Sequence, residues 1–315
     1  MKLYLKWFYG YKNFWDEMLL FWLLNYLQAQ YNPELIAIEV WDKKRMEHRI
    51  RQNHDFLDTG IRDKIELVPN AVVSKRFKQF QSFLWFDKYK KYFKVFGGWE
   101  VLDESRRFPH NGWNLVLLHH YSIRKHNFVL VGGIGTDEQK STKRLYKYIL
   151  PRAQKIICRE EWSVKIAKKY SKKNVLLHKD FSESALSSVV RNGRNAVLRY
   201  SLRTEKFILI NIWPKYYTPQ NIQKIADYCK KYTKSQKIFF PGDINFDKQY
   251  YHKLRKIIPD LEIYDWTKHS LSDTLKLFQD CQWWIWSRLH FLYPLKILKK
   301  DFVSISTSNK VQKMI

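Results

Sequence analysis

The chain has 315 residues, of which 45% are hydrophobic and 17% aromatic, which excludes an intrinsically disordered protein and suits two domains with their own cores. The formal net charge of +27 favours anionic partners, namely nucleic acid, anionic lipid or phosphorylated ligands. The lysines are scattered along the chain, so a generally basic surface is favoured and nucleic acid is not expected as a partner.

The cysteines and the apolar stretches of the sequence indicate the cellular compartment of the protein. Cys158, Cys229 and Cys281 are widely spaced and fit neither a disulfide framework nor a zinc site, which indicates a reducing cytoplasm. The apolar stretch at 18–24 is far shorter than the roughly 20 residues that cross a bilayer. We therefore predict a cytoplasmic protein, and the positive charge leaves peripheral contact with the anionic inner face of the membrane open.

Strands and helices alternate along the whole chain. In the first half, strands are predicted at 2–9, 35–40, 64–68, 92–96, 128–131, 155–158 and 175–178, with helices at 16–30, 43–52, 137–150 and 160–170. In the second half, strands are predicted at 207–212, 237–240, 261–264, 283–286 and 302–306, with helices at 219–232, 247–257 and 270–279. This alternation predicts an α/β protein with parallel sheets and right-handed crossovers.

The chain is predicted to form two Rossmann-like domains. A polar stretch rich in small residues suggests a linker at 183–204, between an N-terminal domain at 1–182 and a C-terminal domain at 205–315. Ligands are expected in an interdomain cleft, with an acceptor on the side of the N-terminal domain.

The most informative segment is Ser287-Arg288-Leu289-His290, which directly follows a predicted strand. Open α/β sheets bind their ligands beyond the carboxyl ends of the strands. Arg288 suits an anion there, and His290 can move protons near neutral pH. A lone histidine at such a position more often packs or caps, but Lys310 beyond the next strand adds a further cation at the same edge.

Two glycine pairs are predicted to end the fourth and fifth strands, at Gly97-Gly98 and Gly132-Gly133. Glycine in such a turn lets the backbone approach a ligand, although each pair taken singly is more typical of a tight turn. Neither pair belongs to a dinucleotide-binding fingerprint or a phosphate-binding loop.

Three other polar residues lie at predicted strand ends or helix starts. Arg159 suits a carboxylate or phosphate, and the alternative is a simple ion pair with Glu160 or Glu161. Asn13 and Asp16 precede the first helix, where the alternative is a helix cap.

Taken in order, these motifs resemble the polysaccharide pyruvyl transferases. The matching elements are Gly10 to Glu17, Gly97-Gly98 with Leu102-Asp103, Gly132 to Gly135, Arg159 to Ser163, Asp180, Ser287 to His290 and Asn309 to Val311. The resemblance implies a glycosyltransferase-B-like fold. It also implies transfer of a pyruvyl group from phosphoenolpyruvate to a sugar of a cell-surface polysaccharide or its lipid-linked precursor, forming a cyclic ketal.

The same resemblance implies roles for single residues. His290 would be catalytic, whereas Arg159, Arg288 and Lys310 would hold phosphoenolpyruvate. Acceptor or loop contacts would come from Asn13, Asp16, Gly98 and Gly133. Phosphoenolpyruvate would be the donor, and neither a metal nor a cofactor is expected.

The sequence departs from this pattern at three points. Trp15 stands where the family has a small glycine, and Glu160 replaces an aspartate. The sequence stops at Ile315, soon after Lys310, so closure or activity is expected to differ from the family.

Two further functions are weighed against this one. A nucleotide-sugar glycosyltransferase of the same fold would need an acidic residue for the ribose and a glycine-rich anion loop in the second domain, of which Pro241-Gly242-Asp243 is a poor version. A non-catalytic basic protein would bind anionic glycan or nucleic acid, with an affinity that falls steeply with salt.

Overall fold

The computed structural model describes residues 1–10, 12–69, 89, 91–102, 128–138, 140–172, 174–178, 206–287 and 292–305. The chain forms two compact units. The first unit comprises Met1–Tyr11, Leu19–Ile50 and Leu57–Phe181, and the second unit comprises Lys12–Met18, Arg51–Phe56 and Ser182–Ile315. The predicted linker at 183–204 lies outside the described residues, so the predicted domain boundaries stay a prediction.

The first unit contains a seven-stranded parallel sheet with the order β3-β2-β1-β4-β5-β6-β7. Its strands are β1 (Lys2–Tyr9), β2 (Leu35–Val40), β3 (Ile65–Pro69), β4 (Phe93–Leu102), β5 (Phe128–Ile134), β6 (Lys155–Cys158) and β7 (Val175–Leu177). Its described helices are most of α1 (Phe14–Tyr31) and of α2 (Lys43–Gln52), together with α3 (Lys140–Ile149) and α4 (Glu161–Tyr170). Every residue of β5 is buried, as expected for a central parallel strand that is covered on both faces.

The second unit contains a five-stranded parallel sheet with the order β10-β9-β8-β11-β12. Its strands are β8 (Phe207–Ile210), β9 (Gln236–Phe239), β10 (Leu261–Ile263), β11 (Trp283–Trp286) and β12 (Asp301–Ser304). Its described helices are α5 (Pro219–Lys231), α6 (Ile244–Arg255), α7 (Leu271–Asp280) and α8 (Leu292–Leu298). The predicted class, α/β with two Rossmann-like parallel sheets, is confirmed.

The glycine pairs do not end their strands, and that prediction is wrong. β4 continues to Leu102, and Gly98 pairs with Gly132 on β5. A Cβ at Gly97 would lie 2.8 Å from Leu23 Cδ2 of α1. A side chain at this position would therefore force Leu23 to shift, so glycine suits the close approach of α1 to the sheet.

A buried ion pair lies on the sheet of the first unit. Lys6 on β1 contacts both carboxylate oxygens of Glu39 on β2, at 2.6 and 2.7 Å. The Tyr4 hydroxyl donates to the same carboxylate at 2.5 Å. Burial, and then the charge of Glu39, raises the pKa of Tyr4 above its ordinary value. Glu39 therefore serves the packing of the sheet.

The first turn of α1 is part of the core of the second unit. The Phe14 backbone N–H donates to the Gly242 carbonyl at 2.9 Å. The Phe14 ring lies 5.2 Å from Phe240, 5.5 Å from Trp266 and 5.8 Å from Phe278 between centroids, in edge-on contacts. Trp15, the unexpected large residue of the first loop, is also buried, so its size fills this core.

Within the described ranges, none of the helices is both long and apolar enough to cross a bilayer.

Candidate functional site

The second sheet has a topological switch point between β8 and β11. The chain proceeds from β8 to β9 and β10 on one side, and β11 and β12 then lie on the other side. Crevices at the carboxyl ends of the strands around such a point are the usual ligand sites of open α/β sheets. The residues that follow β8 and β11 are therefore the first to consider.

Asn211 directly follows β8 and is only 2% exposed. Its backbone N–H donates to the Ile285 carbonyl and its Nδ2 donates to the Phe240 carbonyl, both at 2.8 Å. The residue therefore joins the ends of three strands, through its backbone and its side chain together. Its Oδ1 is buried and has no hydrogen-bond partner among the described residues. An unmet buried acceptor costs about 1–3 kcal/mol, so this oxygen favours a further donor.

Trp213 lies two residues further on and is held by Ser287, which follows β11. The Trp213 backbone N–H donates to Ser287 Oγ at 2.5 Å, and Ser287 is buried. The residue is 43% exposed, although its ring packs edge-on against Tyr216 with centroids 6.0 Å apart. The switch point thus presents an aromatic face to solvent on a fixed backbone.

The loop before α6 does not offer an anion site. Asp243 Oδ1 accepts hydrogen bonds from the backbone N–H groups of Asn245 at 2.9 Å and Phe246 at 3.2 Å. The Ile244 N–H donates to the Lys12 carbonyl at 3.2 Å. The first amides of α6 are therefore already bonded within the second unit. Pro241-Gly242-Asp243 consequently serves as a helix cap.

Three predicted site residues lie on neighbouring strands of the first unit, level with the carboxyl end of β6. Gly98 on β4 pairs with Gly132, the neighbour of Gly133 on β5, and Gly132 pairs in turn with Cys158 on β6. Arg159 follows β6 directly. Their contact with a ligand stays a prediction.

Arg159 forms the ion pair that was weighed as its alternative. Its Nε lies 3.0 Å from Glu160 Oε1, and the two side chains are 7% and 16% exposed. Glu160 also accepts a hydrogen bond from the Trp162 indole N–H. Burial, and then the charge of Glu160, raises the pKa of the neighbouring Cys158 thiol to about 12, so this thiol is not a nucleophile near neutral pH.

Asn13 and Asp16 lie together at the start of α1, in the second unit. Asn13 Oδ1 accepts hydrogen bonds from the backbone N–H groups of Trp15 at 3.0 Å and Asp16 at 3.4 Å. This is the helix cap that was weighed as the alternative for Asn13. Asp16 is buried in the first turn. Their contact with an acceptor stays a prediction.

The remaining predicted residues, Arg288, His290 and Lys310, lie outside the described residues, as does Asp180. Arg288 immediately follows Ser287 in the sequence, so the chain leaves the described range at the switch point itself. Among the side chains that the structure describes, no group of three or more His, Cys, Asp or Glu residues is placed to hold a metal ion.

No family model and no curated protein matches the chain. Solved structures do match it. A UDP-GlcNAc 2-epimerase from Neisseria meningitidis bound to UDP-GlcNAc is 10% identical with a TM-score of 0.64, covering 100% of this chain and 85% of its own. The UDP-GlcNAc 2-epimerase of Methanocaldococcus jannaschii, in complex with UDP-GlcNAc and UDP, is 11% identical with a TM-score of 0.63, covering 99% and 86%. HepE of Anabaena in complex with UDP-glucose is 10% identical with a TM-score of 0.55, covering 100% and 82%.

The fold is glycosyltransferase-B-like. At these identities the likeness establishes the fold alone.

The resemblance to polysaccharide pyruvyl transferases is wrong. The structural neighbours are UDP-GlcNAc 2-epimerases and a protein solved with UDP-glucose, and no family model supports a pyruvyl transferase. Phosphoenolpyruvate as donor and partner, and ketal formation as the reaction, are therefore rejected. The motifs indicated the wrong family because several of these residues have structural roles. Gly97 makes room for α1, and Asn13 caps this helix.

Sequence reasoning found Ser287 but missed Asn211, Trp213 and Tyr216. Their positions after a strand were visible in the sequence. Asn211 and Trp213 follow β8, the first strand of the second half, and Ser287 follows β11, the fourth strand. Only the strand order makes these two strands neighbours, and a single sequence does not reveal that order.

Proposed function

We propose that the protein binds a UDP-sugar at the switch point of the second unit. The observation that carries this proposal is the exposed Trp213, which follows β8 and whose backbone N–H is bonded to Ser287 after β11. Support comes from the fold, whose solved neighbours include complexes with UDP-GlcNAc and UDP-glucose. The positive net charge further favours a diphosphate ligand.

In the proposed complex, each group at the switch point has a role that suits its chemistry. The face of Trp213 stacks on the planar uracil ring. Asn211 positions Trp213 by joining the strand ends around it, through its backbone N–H and its Nδ2. Arg288, next to Ser287 in the sequence, contacts the diphosphate through its guanidinium group.

The reaction proposed first is transfer of the sugar from UDP to an acceptor hydroxyl. The bond between the anomeric carbon and the diphosphate oxygen breaks, a bond to the acceptor oxygen forms, and the acceptor proton must be removed. Arg288 stabilises the charge that develops on UDP, and His290 receives the proton. These two roles extend the predictions made for the residues from the sequence.

Epimerisation of the sugar is the second candidate, favoured by the several UDP-GlcNAc 2-epimerases among the structural neighbours. The two reactions leave different products. In proton NMR of UDP-GlcNAc without an acceptor, an epimerase yields the C2 epimer still attached to UDP. A transferase leaves the sugar configuration unchanged and releases UDP only when an acceptor is supplied.

Binding is tested by calorimetric titration with UDP, UDP-GlcNAc and UDP-glucose, using ADP-glucose as the comparison. Trp213→Ala should raise the Kd for UDP roughly five- to 150-fold, since stacking of a base on an aromatic ring is worth about 1–3 kcal/mol. Trp283→Ala is the matched control, because Trp283 begins β11 at the opposite end of the strand. No binding of any UDP ligand, or an equal loss in both variants, would refute the proposal.

A reducing cytoplasm is the proposed location. It is supported by the three cysteines, all of which are free in the structure.

A further inference from the structure

A helix face in the second unit combines exposed apolar and cationic side chains. Phe246 on α6 is 51% exposed, and Ile257 in the turn after the helix is 49% exposed. Tyr250 and Lys253 lie between them, at spacings that place all four residues on one side of a helix. Lys256 keeps helical angles, with φ −67° and ψ −22°, so Ile257 continues the same side. These four residues, 246, 250, 253 and 257, form the α6 face.

Cationic side chains lie along the α6 face and beside it. Lys253 Nζ is 5.3 Å from the ring centroid of Tyr250, so its charge lies over an aromatic ring. Lys256 is exposed in the turn beside this face, whereas Lys248 and Arg255 are exposed on the far side of the helix. Lys253 and Lys256 therefore place positive charge among the apolar side chains of the α6 face.

The segment 244–257 carries no exposed carboxylate, and the exposed Asp260 beyond it is paired with a lysine. Asp247 is the sole acidic residue in the segment 244–257, and it is buried. Its Oδ2 accepts a hydrogen bond from the Asp243 backbone N–H at 3.0 Å. Further along, Asp260 bonds to Lys237 at 2.7 Å. The partner of this surface must therefore accept both positive charge and apolar side chains.

We propose that the α6 face docks on the surface of an anionic lipid bilayer. Phe246 and Ile257 enter the boundary between headgroups and acyl chains, while the lysines keep their ammonium groups among anionic headgroups. A soluble polyanion would use the cations and leave the apolar side chains in water. A second copy of a chain of net charge +27 would bring like charge onto the face. An anionic bilayer is complementary to both components.

The test measures partition of the full-length protein onto vesicles of phosphatidylcholine alone and of phosphatidylcholine mixed with phosphatidylglycerol. Phe246→Ser/Ile257→Ser removes the apolar component, and Lys253→Glu/Lys256→Glu reverses the cationic one. The apolar control is Leu176→Ser/Leu177→Ser on β7, whose side chains are 46% and 54% exposed. The charge control is Lys224→Glu/Lys231→Glu on α5, which changes the net charge equally.

Wild type should partition onto the mixed vesicles and far less onto phosphatidylcholine alone. Each α6-face variant should lower the partition coefficient roughly tenfold or more, and each control should change it less than about threefold. Thermal unfolding checks that every variant is folded. The proposal is overturned by equal losses in the variants and controls, or by no preference for mixed vesicles. It is also overturned if Phe246→Ser/Ile257→Ser dissociates an oligomer in light scattering and leaves partition unchanged.

Discussion

The reactivity of three buried cysteines tests how tightly single residues are packed in both units. Cys158, Cys229 and Cys281 are free and buried. Burial is the main cause that raises the pKa of Cys158 and of Cys229 to about 12, from an ordinary 9.0. We therefore expect the native protein to resist a thiol-specific disulfide reagent and all three thiols to react in urea. Rapid labelling of the native protein would contradict this packing.

The same two thiols make stability depend on alkaline pH. The folded state keeps the protons of Cys158 and Cys229 until the pH approaches 12, whereas the unfolded chain releases them above about 9. The unfolded state binds fewer protons in this window, so the free energy of unfolding falls as the pH rises through it. Urea unfolding at stepped pH measures the slope. Cys158→Ala/Cys229→Ala should make it shallower, and an unchanged slope would assign the effect to other groups.

Trp213 shows why a candidate ligand-binding residue can escape sequence analysis. Its residue type is common in this chain, which has 13 tryptophans, most of them expected in the cores. It becomes a candidate only because its backbone is held by Ser287, 74 residues away, and its ring remains exposed. The sequence indicates Ser287 because an arginine and a histidine, which suit anion binding and proton transfer, follow it closely. No such residues directly follow Trp213.

At the scale of secondary structure, the first turn of α1 is expected to be essential for the second unit. Phe14→Ala removes a ring buried among Phe240, Trp266 and Phe278, which should lower the free energy of unfolding by about 3–5 kcal/mol. Phe246→Ala on exposed α6 is the control and should cost far less. Urea unfolding compares the two variants. Equal effects would place Phe14 outside the core.

The existence of strands and helices was largely predictable, because apolar runs and their periods reflect local burial. The predicted strands at 2–9, 35–40, 155–158 and 283–286 coincide with β1, β2, β6 and β11. The ends of β4 and β5 were not predictable, because the glycines respond to neighbours distant in sequence. Leu23 of α1 and Gly97 of β4 approach each other only in the folded unit.

At the scale of the whole molecule, the two compact units do not simply correspond to the first and second halves of the chain. The segments Lys12–Met18 and Arg51–Phe56 belong to the second unit, although they come early in the sequence. Asn53 illustrates the reason, because its Oδ1 accepts a hydrogen bond from the Leu271 backbone N–H at 2.5 Å. A polar residue in a short turn carries no local sign of such a distant partner.

The motifs of the sequence indicate the wrong family for a related reason. An ordered set of strand-end motifs matched the wrong family, because a two-Rossmann chain places glycines and polar residues at many strand ends. The prediction of the fold was nevertheless correct, since it depends on the alternation of strands and helices. The prediction of the ligand was wrong. A UDP-sugar is proposed instead, from the residues at the switch point and from the UDP-sugar complexes among the structural neighbours.

A crystal structure of the protein with bound UDP would test the central claim most directly. We expect the uracil ring to stack on Trp213, beyond the carboxyl ends of β8 and β11, with the diphosphate beside the segment that follows Ser287. A nucleotide bound elsewhere in the second unit or in the first unit, or crystals that bind no UDP at saturating concentration, would contradict the assignment of this site.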